Sequence, residues 1–255
     1  MRTLNNIIIL IVLIFGLGLI YSCGVSDSTS PTSTNGNGTG VGGSLARFTI
    51  NGDKLYTLSG SKIKAYTLSP NGTLTLFNTT TTMNNAIETI FCKENALFVG
   101  TSSGMFIYEL SSNGVPLYKS FYNHIYSCDP VVADDKYAYI TLRTSNDWGC
   151  NRGRNVLEII DVQDLTSPDF ITSYAMVSPK GLGIDSNLLF VCDDFLKVYD
   201  KTNLDSLKLI FTSNVKGNDV IPFDNKLMLT SDAGFYQYQY SNNSLTLLST
   251  ILIGQ

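Results

Sequence analysis

The sequence predicts an all-β domain, a five-bladed β-propeller of four-stranded antiparallel blades. Three observations carry this. A hairpin pattern (apolar run, polar turn, returning apolar run) recurs five times, as IKAYTLSPNGTLTLFNT, MFIYELSSNGVPLYKSF, VLEIIDVQDLTSPDFITSY, LKVYDKTNLDSLKLIF and FYQYQYSNNSLTLLST. A second hairpin precedes each copy, in RFTINGDKLYTL, TIFCKENALFVG, PVVADDKYAYIT, GLGIDSNLLFVC and DVIPFDNKLMLT. Taking Leu55, Leu97, Ala138, Leu189 and Leu227 as equivalent, the copies step by 42, 41, 51 and 38 residues. Two hairpins per unit make four strands, and units at this spacing are the signature of a radial array of small sheets.

The elements follow in chain order. Arg2 gives residues 1–22 a positive start, and Ile7 to Ile20 is an apolar run short for a membrane span. The run stops at Ile20-Tyr21-Ser22-Cys23-Gly24. This resembles a bacterial lipoprotein signal, which implies cleavage before Cys23 and acylation of its thiol, with the lipid holding the protein at a membrane. An ordinary secretory signal with an incidental cysteine is the alternative. Residues 24–43, GVSDSTSPTSTNGNGTGVGG, have almost no large apolar side chain to offset the entropy of ordering. Segment 23–43 therefore reads as an acylated cysteine followed by a disordered tether. Gly24 stands where an aspartate would favour retention in the inner membrane. The expected address is thus the cell envelope, at the outer membrane of a Gram-negative bacterium.

Residues 44–255 form one domain large enough for a core. The chain carries 17 basic and 21 acidic residues, net −4, which disfavours a nucleic-acid partner. Its 14 Tyr and 13 Phe are spread through short alternating runs, and helical periodicity is absent beyond the signal. The long step in the repeat holds an insertion in the third unit, TSNDWGCNRGRN.

The third and fourth units resemble the LVIVD-repeat proteins of bacterial and archaeal cell surfaces. VLEIIDVQDLTSPDFITSY is close to that family's core, and the run from Cys128 to Asp200 is similar to a lipoprotein subgroup of it. The resemblance implies a 44–255 LVIVD-repeat propeller and a surface address, and it brings no established reaction. The fifth unit departs from the pattern, with FYQYQYSNNS where an aspartate would end the strand. The chain shows no spare strand to complete a split blade, so closure is expected to rest on face packing, with a sixth, cryptic blade as the alternative.

In a propeller the innermost strands start at one face, the top, where the inter-blade connections also lie. That architecture gathers His124 and Asp129 from the connection into blade three, and Arg143, Trp148, Arg152 and Arg154 from the insertion. Lys180, Asp193 and Asp219 join them from blades four and five. Glu88 and Asn218 also start innermost strands. Loops on a rigid scaffold commonly carry binding residues, and Trp and Arg are frequent anchors. The competing reading is a solvated mouth with Trp148 packed on its own face.

No catalytic set emerges. His124 is the only histidine, and Ser127 and Asp129 lack a nucleophile-elbow pattern. A single histidine argues against a transition-metal site. Asp134-Asp135 and Asp193-Asp194 lack calcium-loop spacing. No cofactor or metal is expected. With Cys23 acylated, Cys92, Cys128, Cys150 and Cys192 remain in an oxidising compartment. A Cys128–Cys150 disulfide would pin the insertion over the mouth. Cys192 is a rival partner, and Cys92 reads as a small buried apolar residue.

The expected function is non-enzymatic: a membrane-anchored binding or scaffold module with an envelope protein as partner. The alternative is glycan or small-molecule binding at the top-face mouth, with Trp148 as a stacking surface. A metal-dependent hydrolase would need Glu88, Asp129, Asn218 and Asp219 to hold the ion, with Lys180 among them repelling it.

Overall fold

A computed structural model describes residues 42–82, 87–124, 130–144, 154–241 and 244–253. The expected signal, Cys23 and the expected tether up to residue 41 lie outside them. The described chain forms twenty strands in five four-stranded antiparallel sheets. Blade 1 holds β1 (Phe48–Asn51), β2 (Lys54–Ser59), β3 (Lys62–Leu68) and β4 (Leu74–Thr81). Blade 2 holds β5 (Ile87–Lys93), β6 (Ala96–Thr101), β7 (Gly104–Leu110) and β8 (Pro116–Asn123). Blade 3 holds β9 (Val131–Ala133), β10 (Tyr137–Leu142), β11 (Val156–Asp161) and β12 (Asp169–Ala175). Blade 4 holds β13 (Leu182–Asp185), β14 (Leu188–Cys192), β15 (Leu196–Asp200) and β16 (Lys208–Thr212). Blade 5 holds β17 (Asp219–Phe223), β18 (Lys226–Ser231), β19 (Gly234–Ser241) and β20 (Ser244–Leu252). This is the five-bladed propeller the sequence predicts.

The five residues aligned by sequence are equivalent in space. Leu55 pairs with Ile50, Leu97 with Cys92, Ala138 with Ala133, Leu189 with Ile184 and Leu227 with Pro222, a constant offset within each first hairpin. Each third strand also meets its outer strand through a register shift at the matching place, beside Tyr66, Tyr108, Ile160, Tyr199 and Tyr238. A bulge adds one residue and extra twist, so every outer strand bends by the same device.

The aspartates that end the repeat signature are turn caps. Asp161 accepts a hydrogen bond from the Gln163 N–H at 2.9 Å, and Asp200 accepts one from the Thr202 N–H at 2.9 Å. Such side-chain caps satisfy backbone groups that the turn leaves unpaired. Blade 5 needs no such cap, because only two residues separate β19 from β20.

The core lies between blades. Four buried clusters join blades 1 and 2, 2 and 3, 3 and 4, and 4 and 5. The innermost strands pack in the same order, β1 on β5, β5 on β9, β9 on β13 and β13 on β17. No comparable packing or cluster joins β17 to β1 among the described residues, so the expected closure by blade faces is not what the structure shows. Residues Gly42–Ala46 bridge that seam instead. They form a turn, with the Ala46 N–H on the Gly43 carbonyl at 3.0 Å, and the Ala46 carbonyl accepts from the Ile90 N–H at 2.9 Å. Ser44 Oγ donates to Asp219 Oδ1 at 2.9 Å and accepts from the Leu182 N–H at 2.7 Å. One short segment thereby touches blades 2, 4 and 5.

Candidate binding site at the channel mouth

The top face is where β5 and the segments leading into β9, β13 and β17 begin. A cavity of about 680 Å³ opens there, lined by Arg47, Glu88, Thr89, Arg143, Lys180 and Asn218 among others. Its size is that of ordinary small-ligand sites. Arg47 leads into β1, Glu88 lies on β5, Arg143 follows β10, and Lys180 and Asn218 precede β13 and β17. All five blades therefore contribute, counting Glu88 for the second.

Among the described lining residues the cations outnumber the acids. Arg47, Arg143 and Lys180 meet one carboxylate, Glu88. Burial pushes the Glu88 carboxyl above its ordinary range, against the pull of the Arg47 charge. Lys180 Nζ donates to Asn218 Oδ1 at 2.6 Å, and Asn218 Nδ2 donates to Asp232 Oδ1 at 2.6 Å. Two backbone bonds fix the Lys180 segment: its own N–H reaches the Cys192 carbonyl at 2.6 Å, and the Gly181 N–H reaches the Asn218 carbonyl at 2.9 Å. The lysine head is thus held at the mouth against the neighbouring blade from a fixed base.

The opposite mouth differs. Its cavity of about 670 Å³ is lined by Asp134, Asp135, Asp185 and Asp224 with Lys93, Lys136 and Lys201. Two of these lysines are spent on neighbours, Lys201 on Asp134 and Lys93 on Asp135, each at 2.8 Å. Among the described residues the lower lining holds four acids and three lysines, and the upper three cations and one acid, in a chain whose net charge is −4.

The other sequence candidates sort into three groups. Asp129, Trp148, Arg152, Cys128 and Cys150 lie outside the described residues, as does the proposed disulfide. Asp193 and Asp219 are buried and engaged in structure. Asp193 has no exposed side-chain surface; it accepts from the Val177 N–H at 3.0 Å, from the Ser178 N–H, and from Lys197 Nζ at 2.8 Å. Asp219 accepts from Ser44 and from the Leu45 N–H at 3.2 Å, and burial raises its carboxyl above the ordinary value. His124 and Arg154 form a separate cluster at the seam of blades 2 and 3. Both act electrostatically on Glu158, whose carboxyl is raised by burial despite them, and Tyr122 donates to Glu158 at 3.3 Å. Of the named candidates among the described residues, the structure brings Glu88, Arg143, Lys180 and Asn218 to the mouth itself.

Arg47 and Glu158 were not singled out by sequence. Arg47 heads the first aligned segment, RFTINGDKLYTL, and that alignment places it at the start of an innermost strand. Nothing in the sequence marks Glu158, which alternates with apolar neighbours on β11. Cys192 is buried and Cys92 half-buried, and both are free thiols. Burial raises the Cys92 thiol to about 12, so it is an unreactive packing residue.

No protein-family profile and no curated protein sequence matches the chain. Solved structures do. A functionally unknown protein from Desulfotomaculum acetoxidans superimposes with a TM-score of 0.65 at 8% identity, over 84% of this chain and 70% of that one. The periplasmic gluconolactonase PpgL of Pseudomonas aeruginosa gives 0.60 at 12% identity, over 80% and 68%. A chain of the mitotic checkpoint complex gives 0.53 at 15% identity, over 78% and 61%. These likenesses extend to an enzyme and to a member of a protein assembly. At such identities they establish the fold, a β-propeller, which hosts many functions.

Proposed function

We propose that this chain is a lipid-anchored protein of the cell envelope whose propeller is a binding module, docking an acidic segment of an envelope protein at the cationic channel mouth. The observation that carries the proposal is the convergence of Arg47, Arg143 and Lys180 on one cavity in an otherwise acidic chain. Complementary charge steers encounter and selects partners. Guanidinium groups suit carboxylates because they can bond them in pairs. The likeness of residues 128–200 to LVIVD-repeat lipoproteins and the pattern ending at Cys23 support the address. A tether ahead of the domain suits a module that reaches a neighbour in the same membrane.

A second reading rests on the same mouth. A cavity of about 680 Å³ also accommodates a small anionic sugar. Titration of the full-length protein with a polyglutamate peptide, glucuronate and glucose separates the two. The proposal expects saturable, salt-sensitive binding of the peptide. Binding of glucuronate with no response to the peptide would replace it by the small-ligand reading. Equal response to glucose would show that charge does not govern the site.

A further inference from the structure

Between blades 5 and 1, apolar side chains of the kind that the other four seams bury stand open. In blades 1 to 4, the residue after each aligned position faces the next blade and is buried: Tyr56, Phe98, Tyr139 and Phe190. In blade 5 the equivalent Met228 is 40% exposed. The aligned residues themselves face the preceding blade. Leu97, Ala138, Leu189 and Leu227 are fully buried, but Leu55 of blade 1 is not. Phe48 and Leu74 are exposed on the blade-1 side, and Phe223 and Phe235 on the blade-5 side. Two positions have turned polar. Thr57 stands where blades 2 to 5 bury Val99, Ile140, Val191 and Leu229, and Gln237 where blades 1 to 4 bury Ala65, Ile107, Ile159 and Val198.

The opening is small. Gly42, Gly43 and Ser44 already stand in it, with Ser44 Oγ fastened to Asp219. Two hollows remain. One of about 410 Å³ lies beside the glycines, lined by Phe48, Ile50, Ile221 and Thr230 among others. The second, of about 540 Å³, runs over the blade-1 face, lined by Arg47, Phe48, Ile50, Leu55, Leu68 and Leu74 among others. Phe48 and Ile50 border both, so the two are continuous. A folded surface has no room beside the glycines, whereas one extended hydrocarbon chain does.

The second hollow has a charged end and an apolar end. Arg47 is its single charged residue among the described lining residues. It is exposed and stands at the upper end, where it leads into β1 and also borders the channel mouth. Leu68 and Leu74 flank the β3–β4 turn at the opposite end of the strands. From Arg47 to the end of β1 the backbone covers about 13 Å, at roughly 3.3 Å per residue.

We infer that the seam binds a long-chain fatty acid, with its carboxylate on Arg47 and its alkyl tail over Phe48, Ile50, Leu55 and Leu74. A guanidinium can bond a carboxylate through two parallel N–H donors. The tail takes from water the apolar surface that a neighbouring blade covers at the other seams, which is the favourable term. The inference goes beyond the docking of an acidic segment and does not depend on it. Arg47 nonetheless borders both sites, so a fatty acid seated in the seam draws that guanidinium away from the mouth.

Photolabelling of the full-length protein in its native membranes tests this, with a palmitate analogue that carries a diazirine in its tail. The inference expects label on the peptides that hold Phe48, Leu55 and Leu74, displaced by unlabelled palmitate and not by its methyl ester. Arg47→Glu should lower the label about tenfold, the loss of one charge-assisted hydrogen bond. Leu74→Asp, at an exposed position outside the mouth, should lower it as well. Circular dichroism checks that both variants fold. Label spread evenly over exposed outer-strand residues of other blades, such as Tyr118, Phe170 and Leu209, would overturn the inference, as would no label at all. Displacement by the ester as readily as by palmitate would show that Arg47 holds no head group and would overturn it. Label that reaches the seam only in Cys23→Ser would give the groove to the chain's own acyl group and overturn it equally.

Discussion

Asp219 is a buried carboxylate whose acceptor sites are filled by Ser44 Oγ and the N–H groups of Leu45 and Val220. Burial outweighs these bonds and raises its carboxyl above the ordinary 3.8. The folded state therefore binds this proton more tightly than the unfolded chain does. The stability this group contributes is complete below pH 3.8 and declines as pH rises through the folded value. In Asp219→Asn that decline disappears, so the Tm difference between variant and wild type should shift in the variant's favour as pH is raised from 3 to 7. A constant difference would contradict the raised carboxyl. Ser44→Ala removes a bond that reaches across 175 residues, and should cost about 1 kcal/mol in chemical denaturation. Asp193→Ala should cost more, about 3 kcal/mol, because it strands the Val177 and Ser178 N–H groups and removes a buried partner of Lys197. Partner capture should survive Asp193→Ala, since the side chain lies below the surface and does not line the mouth.

At the scale of elements, the repeated unit is a hairpin pair whose turns are written in the sequence and whose bulges are not. Asp161→Ala should lower stability by about 1 kcal/mol, because the Gln163 N–H loses its acceptor at an exposed turn. Capture of a partner should be unaffected. Gly181 sits where the approach to β13 passes Asp219. A Cβ there would lie 2.1 Å from Asp219 Oδ1 and 2.7 Å from its Cα, a clash with backbone that no rotamer relieves. Gly181→Ala should therefore cost about 2 kcal/mol or more, and should displace Lys180 along with its segment. The alternation of apolar residues and the fixed spacing from turn to turn revealed twenty strands in order, since both are local. The register shift in each outer strand left no such trace, because it depends on packing against the neighbouring blade. The rim acids were misplaced for a related reason. Position in the repeat put Asp193 and Asp219 at strand ends near the top, but burial is decided by partners from other segments, the Val177 N–H 16 residues before Asp193 and Ser44 175 residues from Asp219.

At the scale of the molecule, a rigid array of blades presents two mouths of similar size and different charge. Among the described residues the lower one carries four acids and three lysines, two of them in ion pairs, and the upper one gathers Arg47, Arg143 and Lys180. This asymmetry was only half legible in sequence, because Lys180 and Arg143 stood out in their units while Arg47, though the repeat alignment places it at the start of an innermost strand, lies in no insertion. The open seam was not legible at all. Thr57 and Gln237 read as ordinary exposed strand residues until their equivalents are seen buried in four other blades. The account's central claim is that the cationic mouth holds the partner. The most direct test tags the C-terminus of the full-length protein, solubilises native membranes, and identifies what stays bound, for wild type and for Arg47→Glu/Lys180→Glu. The account predicts a stoichiometric envelope protein with the wild type, reduced at least about tenfold by the double charge reversal. The same protein retained undiminished by the charge-reversed chain, or wild type recovered alone, would contradict it.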